Sequence, residues 1–145
     1  MKLSEFGFRM WYDISECYVE NPYIASFHSV DKIIGGQVYH DFGKCPDFVD
    51  FDTDSLIIEL FSGYYDKNGK KIFEGDIVEN QSLNEIYIVT RDKFNMIRLK
   101  CYHKFDRKYI QNDKNLELSF FYIYPSKEKM EIIGNIHENP ELLKC

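Results

Sequence analysis

The one concentration of positive charge in the chain lies between Arg91 and Lys108, where seven Lys and Arg stand against two Asp. If residues 96–104 form a strand, Arg98, Lys100, Tyr102 and Lys104 fall on one face. Ile97, Leu99, Cys101 and His103 then fall on the other, because side chains alternate along a strand. A row of cations with an interleaved tyrosine can neutralise phosphates and stack a base, which is how strand-based readers hold nucleic acid. The plainer alternative is an exposed strand face, or an edge whose lysines discourage aggregation. The net charge of −6 for the whole chain favours that plainer reading, since most nucleic-acid modules are basic.

Other chemistry finds less support. Gly43-Lys44 is followed by Cys45 and Gly69-Lys70 by Lys71, so neither supplies the Ser or Thr of a phosphate-binding loop. Pro46-Asp47 begins a nuclease-like carboxylate pattern, yet Glu59-Leu60-Phe61 lacks the lysine that would complete it. Cys17, His28, His40 and Cys45 offer soft ligands at spacings of 11, 12 and 5, which match no common zinc module. His40-Asp41 reads equally well as part of a turn region. The segment Asp41–Asp54 carries five Asp against one Lys, interleaved with Phe42, Phe48 and Phe51. It suits a solvated loop anchored by its aromatics better than a calcium site. No Ser or Cys sits in a recognisable nucleophile context. The expectation is a protein without catalytic residues, metal or cofactor.

Strands must position whatever does the work. Phe6, Phe8, Met10 and Tyr12 alternate with Gly7, Arg9, Trp11 and Asp13, the period of a strand. Gly35-Gly36 predicts a turn within an irregular stretch from 20 to 55, and Leu56–Phe61 reads as a buried strand. Asn68-Gly69 between strand formers predicts a tight hairpin-like turn. Glu74-Gly75-Asp76 predicts a second turn, and two turns so close suit the corner of a small barrel. Later strands are expected at Glu85–Thr90, Met96–His103, Leu116–Tyr124 and Met130–Ile136. Asn139, followed by Pro140 and Glu141, reads as the N-cap of at most one helical turn.

The composition agrees with strands. There are 12 Phe, 11 Tyr and one Trp, while Ala25 is the only alanine. At 145 residues the chain buries a core without disulfides, and its four cysteines form no C-x-x-C pair. Glu5 and Arg9 interrupt any signal-like apolar run, so a cytoplasmic protein with no membrane association is expected.

Three blocks in order along the chain resemble the YopX family of phage and prophage proteins. They are Phe8-Arg9-Met10-Trp11; the stretch from Ser62-Gly63 through Asp66-Lys67-Asn68-Gly69 to Glu74-Gly75-Asp76-Ile77-Val78; and Gly134-Asn135-Ile136-His137-Glu138-Asn139-Pro140-Glu141-Leu142-Leu143. Ser62 stands where the family usually has Thr, Tyr64 where it has Leu, and Tyr12 separates Trp11 from Asp13. The resemblance implies a mainly β protein with an SH3-like barrel and homo-oligomers, and it implies no activity. The motif residues are Trp11, Gly63, Asp66, Asn68, Gly69, Gly75, Asp76, Gly134, Asn135, Asn139 and Pro140. Gly69, Gly75 and Gly134 are read as architectural. Asp66, Asn68 and Asp76 are read as turn formers rather than cation ligands, because no calcium-binding loop pattern surrounds them.

The sequence therefore predicts one domain over 1–145, with a barrel core near 56–143, N-terminal strands over 1–55 and at most short helical turns. Its expected role is a non-enzymatic, homo-oligomeric binding or assembly module. The alternative is a nucleic-acid-binding protein using the face around 98–104.

Overall fold

The computed structural model describes residues 6–27, 30–38, 47–48, 55–105, 108–117 and 130–143, with 23–27, 30–38, 47–48, 103–105 and 108–117 described through their backbone. The acidic segment 41–54, apart from the backbone of 47–48, lies outside these residues, as do His28, His40, Cys45 and the expected strand beyond residue 117. The protein is mainly β, and among the described residues all strand pairs are antiparallel. Two compact units emerge, one spanning Gly7–Leu60 and the other built mainly from Phe61–Cys145.

In the first unit, β1 (Phe8–Tyr12) pairs with β2 (Cys17–Tyr18) and with the start of β6 (Leu56–Tyr65). Met10, Tyr12 and Val19 form its small buried core. A separate sheet runs in the order β3 (Glu20–Phe27), β4 (Val30–Val38) and β5 (Asp47–Phe48). Here the expected turn at Gly35-Gly36 is corrected, since both glycines lie inside β4. The register gives the reason. Glu20 pairs with Gln37 and Tyr23 with Gly35, so Asn21 and Pro22 together face Gly36 across a bulge. Proline is tolerated there because β3 is an edge strand of the described sheet.

The second unit takes the end of β6 and adds β7 (Lys71–Phe73), with Phe61 opposite Phe73 and Tyr65 opposite Lys71. Gly63 lies in the register shift between those pairs. A five-stranded sheet follows, in the order β11-β10-β9-β8-β12. Its strands are β8 (Asp76–Asn80), β9 (Glu85–Arg91), β10 (Ile97–Phe105), β11 (Lys108–Glu117) and β12 (Met130–Asn135). Of the strand expected over Leu116–Tyr124 only residues 116–117 are described, and they end β11, which begins eight residues earlier at Lys108. Polar residues hid it: Gln111 is carried by pairing with Tyr102, while Asn112 and Asp113 fall in a register shift of the β10–β11 ladder.

Leu99, Tyr87, Val78, Val89, Ile72 and Met130 are all but inaccessible to solvent and form the main core. Each such burial contributes about 1.5–3 kcal/mol relative to exposure. Pro140–Leu143 form a 3-10 turn, as the proline and acidic first turn suggested. Asn139 does not cap that turn with its side chain. Its Oδ1 instead accepts the Asn135 N–H at 3.3 Å, and its own N–H donates to the Asn135 carbonyl at 3.0 Å.

That folding-back is possible because residue 134 has no side chain. A Cβ on Gly134 would lie 2.5 Å from Oδ1 of Asn139 and 2.9 Å from its Cβ. Gly134→Ala is therefore expected to destabilise the protein by about 1–3 kcal/mol in urea unfolding. In an Asn139→Gly background, which removes every atom of that side chain, the same change should cost measurably less; equal costs in both backgrounds would refute this account.

Candidate functional site

Asp66 organises the first motif cluster. It is buried at the start of the β6–β7 turn, and its Oδ1 accepts the N–H groups of Asn68 and Lys70 at 2.8 and 2.9 Å. Its backbone closes the same turn through Asp66 N–H to Lys70 O at 2.8 Å and Gly69 N–H to Asp66 O at 3.0 Å. Gly69 takes a φ of +79°, which a side chain would strain. The other carboxylate oxygen of Asp66 accepts the Ile132 N–H of β12 at 3.3 Å, and Lys67 N–H donates to Met130 O at 2.9 Å. Lys67 also reaches Glu131, whose second oxygen accepts a long contact of 3.4 Å from Asn68 Nδ2. The Lys67 ammonium and this contact hold the Glu131 carboxyl below the usual range.

The second cluster joins the 74–76 corner to the closing motif. Asp76, buried, accepts the Phe73 N–H at 2.8 Å and pairs in the sheet with Asn135. Gly75 donates to Val89 O at 2.8 Å and its carbonyl accepts Ile136 N–H at 2.9 Å. Asn135 Oδ1 accepts from His137 and Glu138 N–H, and its Nδ2 donates to Glu138 at 2.6 Å. Asp66, Asn68, Gly69, Gly75, Asp76, Gly134, Asn135 and Asn139 are thus drawn into turns and strand ends that satisfy buried backbone groups. Among the described residues no group of three or more His, Cys, Asp or Glu is placed to hold a metal ion.

Trp11 belongs to a different network, in the first unit. Its indole N–H donates to Asp13 at 2.8 Å, and its ring meets Tyr18 edge-on at 5.1 Å. Glu59, buried in the apolar run, accepts Arg9 Nε at 2.6 Å and the Tyr18 hydroxyl at 3.1 Å, while the Arg9 guanidinium stacks 4.7 Å over Tyr18. Sequence reasoning missed this trio. The available signal was a lone acid in Leu56–Phe61, but its cation is 50 positions away and is brought opposite only by the β1–β6 register.

The basic strand is central. β10 is hydrogen-bonded to β9 on one side and β11 on the other, so edge protection does not explain its lysines. The alternation holds, with Leu99 and Cys101 in the core and Arg98, Lys100 and Tyr102 on the opposite face. Lys104 continues the backbone of that row. The Lys100 ammonium lies 6.0 Å from the centre of the Tyr102 ring. Directly across on β9, Arg98 meets Thr90, Lys100 meets Ile88 and Tyr102 meets Ile86. Ile86 and Ile88 are buried, so this face is half-covered rather than open, and Arg98, Lys100 and Tyr102 are themselves half-buried.

Arg98 also has a local anion. Its Nε donates to Asp92 Oδ2 at 2.9 Å, and Asp92 Oδ1 accepts the N–H groups of Phe94 and Met96 in the β9–β10 turn. Arg91 pairs with Glu74 through two bonds of 3.0 and 2.7 Å, which push its guanidinium pKa further up. The Met96 amide first, then Arg98, hold the Asp92 carboxyl below the usual range. A depressed folded pKa stabilises the protein above the ordinary carboxylate pKa of about 3.9 and loses that effect as pH falls through the folded value. The stability advantage of wild type over Asp92→Asn should therefore be full at neutral pH and shrink in acid. Urea titrations of both proteins across the acid range would check it, and a gap independent of pH would contradict it.

Comparison with known proteins accords with this architecture. A family model described as YopX protein matches residues 7–144. Among solved structures, the chain is similar to the crystal structure of protein EF1440 from Enterococcus faecalis. The two share 23% sequence identity over 96% of this chain and 98% of that one, with a TM-score of 0.52. At that identity the likeness speaks to the fold. No curated protein matches the chain. The chain belongs to the YopX family.

Proposed function

We propose that this is a phage- or prophage-encoded, non-enzymatic binding and assembly module that forms homo-oligomers in the bacterial cytoplasm. The stretch over about 56–143, which holds most of the second unit, is read as an SH3-like barrel, and residues 1–55 as an N-terminal strand region. Closure is supported by the hydrogen bonds that tie the β6–β7 turn to β12. The buried carboxylates Glu59, Asp66 and Asp76 are engaged with backbone amides or with a cation and a tyrosine, which supports a scaffold rather than acid–base chemistry.

One observation carries the oligomer. Ile14 is 65% exposed and Ile57 is 37% exposed, and they flank the same end of the β1–β6 ladder, where Tyr12 pairs with Leu56 and Asp13 N–H reaches Ser55 O. Branched aliphatic side chains left in water at one sheet end are what an interface between copies would cover. Light scattering on the wild type should give a mass above one chain. The Ile14→Lys/Ile57→Lys variant should shift toward the single chain with its circular dichroism retained. A wild type that is monomeric at high concentration would remove the proposal.

Nucleic-acid binding through Arg98, Lys100, Tyr102 and Lys104 is the second reading. It is favoured by the Lys100–Tyr102 pairing on a strand face turned away from the main core. It predicts affinity for DNA or RNA that falls steeply with salt, and that weakens in Lys100→Ala with a salt slope smaller by about 0.7–0.9. Filter binding over a salt series tests it, and no retention at low salt would end it.

A further inference from the structure

The β9–β10 turn displays side chains that its own geometry does not need. Asp92 N–H donates to Met96 O at 2.9 Å and Asn95 N–H to Asp92 O at 3.0 Å. The Asp92 carboxylate takes the amides of Phe94 and Met96, at 2.8 and 3.0 Å, and Arg98 at 2.9 Å. Asn95 supplies the left-handed backbone, with φ +61°. This tightly bonded turn would form with polar residues at its tip. Instead Phe94 stands 72% exposed and Met96 55% exposed. The Lys93 ammonium lies 5.1 Å from the centre of the Phe94 ring.

A solvent-facing aromatic on a bonded turn, next to a cation, is suited to a flat, negatively charged partner. Single-stranded nucleic acid provides both features, a base to stack on the ring and an adjacent phosphate for the ammonium. The tip also begins the chain's one basic stretch, 91–108, which supplies the charge complementarity. The geometry points to Phe94 as a base-stacking residue and Lys93 as its phosphate contact, so that single-stranded nucleic acid is gripped at the β9–β10 turn. This rests on the nucleic-acid reading above and moves its centre from the half-covered strand face to the turn. Because the turn is held by its own hydrogen bonds, the backbone that carries the ring is set before a ligand arrives, and less freedom is lost on binding.

The test uses the full chain and a labelled oligothymidylate at low salt, read by fluorescence anisotropy. Wild type should bind, and Phe94→Ala should bind about tenfold more weakly, the order expected for losing one base–aromatic stack. Phe94→Trp should retain binding, and its added indole should be quenched by unlabelled oligothymidylate. The native Trp11 is 5% exposed and gives a steady background. Lys93→Gln should lower the salt slope by about 0.7. Circular dichroism should leave all three variants folded, since the altered side chains face solvent.

Absence of wild-type binding overturns both this inference and the reading beneath it. Binding that survives Phe94→Ala unchanged, with no quenching in Phe94→Trp, overturns the turn alone and leaves the strand face. An assembly mass that falls in Phe94→Ala while oligothymidylate binding does not would assign the ring to a protein interface, and would equally overturn it.

Discussion

A buried carboxylate must find donors, and in this protein Asp66 finds them on two sides at once. Two come from its own turn, the amides of Asn68 and Lys70, and one comes from Ile132 in β12. Hydrogen bonds from amides to an ionised acceptor are among the stronger ones available, and leaving such a group unsatisfied is costly. The turn and β12 are therefore coupled, because a register shift of β12 would take from Asp66 the donor to its second oxygen. Asp76 repeats the logic at the next corner, where it accepts Phe73 N–H beside Asn135. Much of the motif vocabulary of aspartate, asparagine and glycine serves this accounting of backbone groups.

Charge follows the same local economy. Arg91 faces Glu74, Arg98 faces Asp92, Lys67 faces Glu131 and Arg9 faces Glu59. The first three pairs are partly exposed and contribute little to stability, whereas the Glu59 carboxylate is buried; all four fix where the cations point. The basic segment is thus less uniformly basic in space than in sequence. Arg91 and Arg98 are tied to acids, while Lys93 leans over Phe94 and Lys100 over Tyr102, so aromatic rings take the role that carboxylates play elsewhere.

Local signals were the legible ones. The Asn68-Gly69 turn, the 74–76 corner, the 96–104 alternation and the closing 3-10 turn could be read because each depends on residues close in sequence. Gly35-Gly36 misled because a glycine pair marks a turn only when no neighbouring strand bulges against it, and here Asn21 and Pro22 do. Glu59 with Arg9 stayed hidden because their meeting depends on register across 50 positions. That β10 lies inside its sheet was equally beyond reach, since no property of a strand's own residues says what pairs with its far edge.

β12 carries a temporal consequence. It pairs with β8, supplies the third donor to Asp66 and brings Met130 to the core, yet it is translated after every strand it completes. During synthesis β8 must wait with one edge unpaired, and its core face is covered from one side only. Contacts between such distant segments close slowly, and open edges invite pairing with other chains. The acidic character of the chain then has a use before folding is finished, because like-charged nascent chains keep apart until β12 arrives.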